Sequence, residues 1–217
     1  MHVLITGSSN GIGRAIALKF LKEGHLVSGM DIMESTITDP HYTHYICDVR
    51  DSEHYPNIQP VNILINNAGV QGGDDLGVNL KAVIQITQHY GLHPDIQSVL
   101  MIGSASAHTG SEFPEYVASK GGVLAYTKHI ALEIAKYGAT CNSLDLGGVM
   151  TELNRPVMDD ETLWQQIMDL TPLKRWMSVE EAGDWAYFMT VTNRFCTGQN
   201  ILIDGLEAGN AHFVWPD

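Results

Sequence analysis

Short apolar segments alternate with helical patterns along this chain, and that alternation most limits the fold. The segment HVLIT at 2–6 is apolar and β-branched, and it leads through several glycines into the helical pattern IGRAIALKFLKEG. Similar segments predict further strands at 26–31, 45–48, 62–69, 98–104, 139–147 and 200–205. Strands that alternate with helices predict βαβ units, and therefore a parallel sheet covered on both faces.

The spacing of these elements favours one domain over residues 1–217. Helices are expected over 76–91, from Tyr116 to Tyr137 and over 179–191. No linker, repeat or low-complexity tract interrupts the pattern, and the length is enough for one substantial core. The sequence predicts an α/β fold, a Rossmann-type doubly wound parallel sheet of about seven strands.

Charge and composition limit the partners and the location. The formal net charge of -13 disfavours nucleic acid and anionic membranes as partners. No apolar run approaches the roughly 18 residues that a membrane helix needs, and the first residues do not resemble a secretion signal. We therefore expect a cytoplasmic protein. The three isolated cysteines and the scattered histidines lack the spacing of metal ligands, so no metal site is expected.

Three glycines follow the first predicted strand. Gly7, Gly11 and Gly13 lie between this strand and the next helix. Glycine permits a tight turn and a close approach of the backbone to a pyrophosphate, for which the helix amino terminus supplies free N–H groups. The order strand, glycine turn and helix favours a dinucleotide site, although the glycines could also form a tight turn without a ligand.

Asp31 ends the second predicted strand and bears on the choice of dinucleotide. A carboxylate at this point could accept hydrogen bonds from an adenosine ribose and would repel a 2'-phosphate. Neighbouring Ser8, Ser9 and Asn10 offer no cation to offset that repulsion. The sequence therefore favours NAD over NADP, with the alternative that Asp31 only caps a turn. Asp48, at the end of the third predicted strand, could be the same kind of cap.

Tyr116 and Lys120 are four residues apart in a predicted helix. That spacing puts both side chains on one helix face, where an ammonium could favour ionisation of a phenol. Ordinary helix surfaces also carry such pairs, but Ser104 directly follows the fifth predicted strand, at the sheet edge where ligands bind. The three residues together indicate a tuned acid/base.

In its order of motifs, the chain resembles the classical short-chain dehydrogenase/reductase family over nearly its full length. The matching segments are TGSSNGIG at 6–13, DV at 48–49, NNAG at 66–69, VNLKAV at 78–83, YVASK at 116–120, NSLDLGGVMT at 142–151 and TGQNILIDG at 197–205, together with Asp31 and Ser104. Each segment alone is a modest signal, whereas their order is specific.

The resemblance implies a catalytic role for four residues. Tyr116 would be the general acid in carbonyl reduction and the base in alcohol oxidation. Lys120 would lower the pKa of the tyrosine and bind the nicotinamide ribose. Ser104 would hold the substrate oxygen, and Asn79 would order a water that links Lys120 to solvent. Ser106 and Ser111 are alternatives to Ser104.

The resemblance also implies a set of cofactor contacts along the carboxyl ends of the strands. These would be Gly7, Ser9, Asn10, Gly11, Ile12, Gly13, Asp31, Asp48, Val49, Asn67, Ala68, Gly69, Tyr116, Lys120, Val149 and Thr151.

The chain departs from the family pattern at several points. Gly69 and Asn79 are closer together than is usual, and the stretch 48–62 is short, so shortened peripheral helices are expected. The active-site entrance is then either wider than usual or covered by a neighbouring subunit. Leu146 replaces a usual proline and could leave the following loop more mobile. Asp145 is unexpected beside it and could face the substrate, although a surface carboxylate is favoured. His108 could touch the substrate or be an ordinary surface histidine.

Two apolar segments have expected places. The segment 154–177, with the nearby Met150 and Leu153, occupies the position of the family's substrate lid and could form an adaptable apolar pocket. The terminal AHFVWPD at 211–217 is expected to pack in a subunit interface or near the site of a neighbouring subunit.

The predicted function is an NAD(H)-dependent oxidoreductase that transfers hydride between the nicotinamide and a small alcohol or carbonyl substrate. Family members are often oligomers, so a homodimer or homotetramer is expected. Two alternatives stay open from the sequence. The chain could be a non-catalytic NAD-binding sensor or scaffold, or an NAD-using dehydratase or epimerase.

Overall fold

Apolar, β-branched segments form the seven parallel strands of one sheet in the computed structural model, which describes residues 1–209. The strands are β1 (His2–Thr6), β2 (Leu26–Asp31), β3 (Tyr42–Ile46), β4 (Ile63–Asn66), β5 (Ser98–Ser104), β6 (Thr140–Leu146) and β7 (Asn200–Ile203). The helices are α1 (Gly11–Lys22), α2 (Val83–Tyr90), α3 (Ser106–Thr109), α4 (Pro114–Ile134), α5 (Arg155–Met158), α6 (Glu161–Leu170) and α7 (Val179–Tyr187). The predicted α/β fold with a parallel sheet is thus confirmed.

The strand order is β3-β2-β1-β4-β5-β6-β7, and all neighbouring pairs are parallel. The chain runs from β1 outward to β3 and then returns to the other side of β1 with β4. In doubly wound sheets, such a reversal opens a crevice at the carboxyl ends of the strands. The glycine turn after β1 and Ser104 at the end of β5 therefore lie at one edge of the sheet.

The core lies on both faces of the sheet because successive strand side chains point in opposite directions. In β1, Val3 and Ile5 belong to one apolar cluster, whereas Leu4 belongs to the other. The first cluster packs against α1 and α7, and the second against α2 and α4. Burial on both faces explains why the central strands are apolar almost throughout.

Helix α4 starts at Pro114, two residues before the predicted start at Tyr116. Proline has no N–H to leave unpaired in the first helical turn and its φ suits a helix, so it favours this start. The helix ends at Ile134, and a 3₁₀ turn at Ala135–Tyr137 leads to Gly138, which has a φ of 70°. Glycine adopts this left-handed conformation without a steric penalty.

The connections around β4 are short, as the sequence indicated. Between β3 and β4 the helical structure is limited to the 3₁₀ turn Ser52–His54. After β4, a π-helical turn, Gly77–Ala82, leads directly into α2. The third strand is β3 at Tyr42–Ile46 and not at 45–48, because its residues pair in register with Val27 to Asp31 of β2.

Two further expectations concern membranes and the carboxyl terminus. Within residues 1–209, no helix has the length and apolar character needed to cross a membrane. The segment 211–217, expected in a subunit interface, lies outside the described residues.

Candidate active site

The turn between β1 and α1 is built so tightly that only glycine fits at key positions. Gly7 has a φ of 68°, and a Cβ added to Gly13 would lie 2.1 Å from the carbonyl oxygen of Gly7. The Asn67 amide closes the turn from β4, donating to the carbonyl oxygens of Thr6 at 2.9 Å and Gly7 at 3.0 Å. The turn is therefore fixed from two sides.

The amino terminus of α1 offers free N–H groups at this turn. The Asn10 side chain makes no capping hydrogen bond, and the first turn contains no acidic residue. Gly11 has a φ of 51°, and a Cβ added there would lie 3.5 Å from Cγ2 of Thr151. The positive end of a helix dipole and its unpaired N–H groups suit a phosphate.

Asp31 is held in a fixed orientation beside the turn. Its Oδ2 accepts from the backbone N–H of Ser9 at 2.9 Å, and its Oδ1 accepts from that of Met33 at 3.0 Å. The Ser9 hydroxyl also donates to the carbonyl oxygen of Met33. Each carboxylate oxygen has a further lone pair, so Asp31 can accept hydrogen bonds from a ribose without losing these contacts.

Asp48 lies in an ion-pair cluster. Its carboxylate accepts from the backbone N–H and the guanidinium of Arg50, which also donates to Asp74 at 3.0 Å. The hydrogen bonds from Arg50 hold the pKa of Asp48 below its usual value. The side chain therefore caps its own turn, as the alternative interpretation of Asp48 proposed, while Val49 is buried against the core.

Asn67, Ala68 and Gly69 follow β4 and cross the crevice. The backbone N–H groups of Asn67 and Ala68 both donate to the Thr6 hydroxyl at 3.0 Å. A Cβ added to Gly69 would lie 3.2 Å from Oδ1 of Asn79 and 3.7 Å from Nζ of Lys120. This segment thus connects the glycine turn to the buried polar residues on the far side.

Asn79 lies in the π-helical turn and is 1% exposed. Its side chain exchanges two hydrogen bonds with the backbone of Val70, at 2.8 and 2.9 Å, and also donates to Ser119 at 3.3 Å. These bonds fix the segment after Gly69 against α4. π-helical turns occur frequently at functional sites.

Tyr116 and Lys120 lie together on α4, as their spacing predicted. Lys120 is 6% exposed, its Nζ donates to the carbonyl oxygen of Ile102 at 2.9 Å, and it lies 5.7 Å from the centre of the Tyr116 ring. Burial lowers the pKa of Lys120 to about 8, partly offset by the negative charges of Asp145 and Asp75. The Lys120 side chain is therefore mostly in its charged, protonated form at neutral pH.

The net lowering of the Tyr116 pKa that was expected beside Lys120 is not found in this structure. Burial raises the pKa of Tyr116, a hydrogen bond with Ser104 opposes the rise, and the negative charges of Glu112 and Asp75 add to it. Desolvation disfavours the phenolate, and the ammonium of Lys120 is directed at the Ile102 carbonyl.

Ser104 has a defined hydroxyl orientation. Its Oγ accepts from the Ser106 hydroxyl at 2.9 Å and from the Ser106 backbone N–H at 3.2 Å. Since a hydroxyl has two lone pairs and one hydrogen, Ser104 is left with its hydrogen to donate. Ser106, which the sequence allowed as a competitor, therefore supports Ser104, while Ser111 is exposed.

Asp145 is buried at the end of β6, so the preferred interpretation as a surface carboxylate is wrong. Its side chain is 0% exposed, and its Oδ2 lies 2.6 Å from Nε2 of His108. Burial raises the pKa of Asp145, and His108 is the main influence that opposes the rise. The position of Asp145 inside a predicted strand was the signal that could have indicated a buried carboxylate, although not its partner.

Comparison with known proteins agrees with this geometry. A sequence model of the family described as enoyl-(acyl carrier protein) reductase matches residues 7–205. That match extends from the glycine turn through Ser104, Tyr116 and Lys120 to the end of the sheet. The chain belongs to the short-chain dehydrogenase/reductase family.

Among curated relatives of this short-chain dehydrogenase/reductase are enzymes that act on different substrates. It is 28% identical over 233 residues to a 3-oxoacyl-(acyl-carrier-protein) reductase of Buchnera aphidicola subsp. Acyrthosiphon pisum, covering 93% of this chain and 94% of the relative. It is 27% identical over 241 residues to an L-rhamnose 1-dehydrogenase (NADP(+)) of Thermoplasma acidophilum, covering 94% of each. Both alignments exceed the 217 residues of this chain, so they include gaps, as its short connections would require.

Solved structures of the family share the fold. The ligand-free aldohexose dehydrogenase of Thermoplasma acidophilum has a TM-score of 0.87 and 25% identity, covering 100% of this chain and 97% of that one. A 4-hydroxyisoleucine dehydrogenase complexed with NADH has a TM-score of 0.86 and 25% identity, covering 97% and 99%.

Beyond β6, the dehydrogenase/reductase chain returns over the crevice. Leu146 is buried, and its carbonyl oxygen accepts from the Ala105 backbone N–H at 2.9 Å, so the turn is held despite the missing proline. Val149 is also buried and pairs with Met177.

The expected lid segment is folded over this turn as α5 and α6. Trp164 and Trp176 meet edge to face with ring centres 5.0 Å apart, and a Cβ added to Gly148 would lie 2.0 Å from Nε1 of Trp176. Met150 and Leu153 are exposed at its edge. Trp176 therefore packs as core, while the outer residues are available to a ligand.

Proposed function

We propose that this chain is an NAD(H)-dependent oxidoreductase that interconverts an alcohol and a carbonyl compound, with Tyr116 as general acid/base. The observation that carries the proposal is the grouping of Tyr116, Ser104 and the buried Lys120 on the far side of the crevice from the glycine turn. Membership of the family supports oxidoreduction of CH–OH and C=O groups.

In the proposed reaction, Ser104 and Tyr116 bind the reacting oxygen. The Ser106 hydrogen bonds turn the Ser104 hydrogen outward, so that Ser104 donates to the substrate oxygen. Because burial raises the pKa of Tyr116, its phenol holds its proton at neutral pH. Tyr116 is therefore ready to protonate the oxygen during carbonyl reduction, whereas alcohol oxidation, which needs the phenolate, should accelerate as the pH rises.

Lys120 supports the proton transfer from Tyr116 electrostatically, and Asn79 supports the position of the backbone nearby. The Lys120 ammonium lies near the Tyr116 ring and stabilises negative charge that develops on the phenol as it donates its proton. The Asn79 side chain makes two hydrogen bonds with the backbone of Val70 and so fixes the segment that follows Gly69. When bound, the nicotinamide supplies or accepts the hydride.

We infer NAD in preference to NADP from Asp31. Its carboxylate is fixed at the end of β2, where it would accept from ribose hydroxyls and repel a 2'-phosphate. Arg14, the nearest cation in the following helix, donates to Thr36 at 3.1 Å. The relatives include an NADP(+)-dependent dehydrogenase and the neighbours an NADH complex, so the preference rests on this chain's own residues.

Replacement of Tyr116 with phenylalanine tests the proposal. Tyr116→Phe should lower the rate of NADH oxidation against a panel of small ketones by on the order of 1000-fold, because it removes the transferred proton. NADH binding, measured by fluorescence, should persist. Tyr126→Phe is the control, since this phenol lies on the same helix and contacts the Ile84 carbonyl. Full activity of Tyr116→Phe would refute the role.

We also propose a homo-oligomer built on α4. Leu132 lies on this helix and is 79% exposed, so a second copy of the chain that packs on α4 would remove this side chain from water. Light scattering with size-exclusion chromatography gives the mass directly. We expect Leu132→Asp to shift the mass to that of one chain, and a native protein that already has the mass of one chain would contradict the proposal.

A further inference from the structure

A histidine–aspartate pair with a buried carboxylate lies in the crevice and has no part in the reaction described so far. His108 Nε2 lies 2.6 Å from Oδ2 of Asp145, whose side chain is 0% exposed, while that of His108 is 30% exposed. A second such pair, His54 and Asp51, has a distance of 2.8 Å but side chains that are 76% and 50% exposed. Only in the first of these two pairs is the carboxylate fully removed from water, so that its charge costs free energy on folding.

The sheet is shaped to hold the Asp145 carboxylate. Gly103 is its partner on β5, and a Cβ added to Gly103 would lie 2.0 Å from Oδ1 of Asp145. That oxygen has no hydrogen-bond partner within residues 1–209. A buried carboxylate is strongly destabilising unless it is paired, so its retention here depends on His108 and on the nearby charge of Lys120.

The pair adjoins the residues that would bind the reacting oxygen. Asp145 precedes Leu146, which pairs with Ser104 across β5 and β6. His108 lies on α3, four residues after Ser104, and Ser106 of the same helix donates to the Ser104 hydroxyl. The imidazole and the proposed oxygen-binding hydroxyl are therefore both carried by the short segment that runs from the end of β5 into α3.

The hydrogen bond to Asp145 fixes the orientation of the imidazole. Nε2 is directed to the buried carboxylate, so Nδ1 is on the part of the ring directed away from it. Nδ1 makes no hydrogen bond to any of the residues that the structure describes. In neutral imidazole with Nε2–H donated to Asp145, Nδ1 accepts a hydrogen bond, and in the imidazolium it donates one. A hydroxyl group can satisfy both forms, whereas an alkyl group satisfies neither.

We propose that His108 binds a hydroxyl group of the substrate close to the reacting carbon, and that Asp145 positions His108. The inference rests on the proposed function and narrows it to alcohols or carbonyl compounds that carry a neighbouring hydroxyl. His108 is then a specificity-determining residue. Asp145 acts through it by fixing which ring nitrogen faces the substrate.

Matched substrates that differ by one hydroxyl test the inference. We would measure kcat and KM for acetoin and butanone as carbonyl substrates, and for glucose and its C2-deoxy analogue as alcohol substrates. The native enzyme should prefer the hydroxylated member of at least one pair. His108→Leu should reduce that preference, expressed as a ratio of kcat/KM values, on the order of tenfold, since one hydrogen bond to substrate is lost.

Asp145→Asn separates positioning from general structural damage. Removal of the charge also alters the surroundings of Lys120, but that change affects both members of a substrate pair alike. Release of His108 affects the hydroxylated member alone, so the ratio should fall, mainly through a higher KM. His54→Leu is the matched control, because it disrupts the exposed pair with Asp51 and should leave the ratio unchanged. Circular dichroism melting verifies that each variant is folded.

Two results would overturn the inference. One is an unchanged ratio in a folded His108→Leu variant, and the other is a native enzyme that turns over no hydroxylated probe or prefers the deoxy member of each pair. The proposed function fails separately, if turnover of any probe persists in Tyr116→Phe.

Discussion

The two sides of the crevice use different parts of the chain for the same purpose, which is to fix polar groups around a ligand. On the β1 side, the turn is formed by backbone atoms, with Gly7 and Gly13 in close contact and the Asn67 amide donating to the carbonyl oxygens of Thr6 and Gly7. On the β5–β6 side, buried ionisable side chains, Lys120 and Asp145, hold the arrangement.

The two sides of the crevice should differ in the substitutions and pH changes that they tolerate. Backbone dipoles do not titrate, so the glycine turn should keep its geometry over a wide pH range, but it has no room for an added atom. The β5–β6 side has charges whose burial shifts their pKa values and makes the fold less stable at some pH values. Steric changes should therefore damage the first side most, and charge changes the second.

The largest effect is expected from an added methyl group in the glycine turn. In Gly13→Ala the new Cβ would meet the Gly7 carbonyl oxygen at 2.1 Å, and neither backbone segment can move freely. We expect a loss of about 3 kcal/mol in the free energy of unfolding and a loss of NAD binding. Urea titration and NADH fluorescence measure the two effects.

Gly121→Ala is the control for this prediction. Apart from its chain neighbours and the adjacent backbone of α4, no heavy atom of the described residues lies within 4 Å of the position that its Cβ would take. Alanine favours a helix over glycine by up to about 1 kcal/mol, so this variant should be as stable as the native protein or more so. If both variants behaved alike, steric restriction would not distinguish the glycine turn.

Lys120→Met should raise stability at neutral pH while it abolishes activity. Burial lowers the pKa of Lys120 to about 8, so below that pH the folded state contains a costly buried ammonium. Its removal should stabilise the fold by about 2 kcal/mol at pH 7, after allowance for the compensating charge that buried Asp145 loses.

The stability difference between the native protein and Lys120→Met should change with pH in a defined direction. Between pH 8 and the unfolded value of 10.5, the folded protein has lost the proton that the unfolded chain still binds. Native stability therefore rises relative to the variant over this window, and the difference in Tm should disappear by its upper end. A difference that stays constant from pH 7 to pH 10 would show that the lysine charge is not its cause.

Asp31 is a charged side chain beside the glycine turn, and Asp31→Ala tests its role in the choice of cofactor. Loss of the carboxylate removes both the ribose acceptor and the repulsion of a 2'-phosphate, so the preference for NAD over NADP should fall about tenfold in kcat/KM. Asp39→Ala is a suitable control, because its carboxylate accepts from the His41 backbone N–H in the next exposed turn. Unchanged selectivity in Asp31→Ala would remove this residue from cofactor choice.

The smallest effect is expected from Ser106→Ala. This variant loses the hydroxyl that donates to Ser104 at 2.9 Å, but keeps the backbone N–H that donates at 3.2 Å. The Ser104 hydroxyl should then be less well oriented, with a fall of about fivefold in kcat, corresponding to about 1 kcal/mol. Steady-state kinetics with NADH and a ketone would show it, and a rise in KM alone would contradict the orienting role.

The sequence was sufficient for much of the fold because its signals are local. Strand and helix periodicity predicted the parallel sheet, and the glycine spacing predicted the position of the tight turn. The boundaries of β3 could not be read in this way, since its residues are chosen by pairing with β2. The start of α4 at Pro114 was available from proline chemistry and was nevertheless missed by two residues.

For the site, sequence patterns predicted that Tyr116 and Lys120 would share a helix face, and the structure brings them together. Their pKa values could not be predicted, because desolvation depends on everything packed around a group. The net shift of the Tyr116 pKa is for this reason opposite to the expected lowering. His108 and Asp145 are 37 residues apart, so neither the sequence spacing nor the local pattern indicates their contact.

By itself, the sequence determined the order of strands and helices, the glycine turn and the residues available for proton transfer, because periodicity, backbone freedom and side-chain chemistry are properties of short segments. The tertiary structure alone decided which ionisable groups are buried and which of them meet. Burial and distance arise from contacts between segments remote in sequence. They determine how much free energy each ionised side chain costs in the folded state. That is why Asp145 became a buried partner of His108, while Asp51 and His54 form a similar pair in solvent.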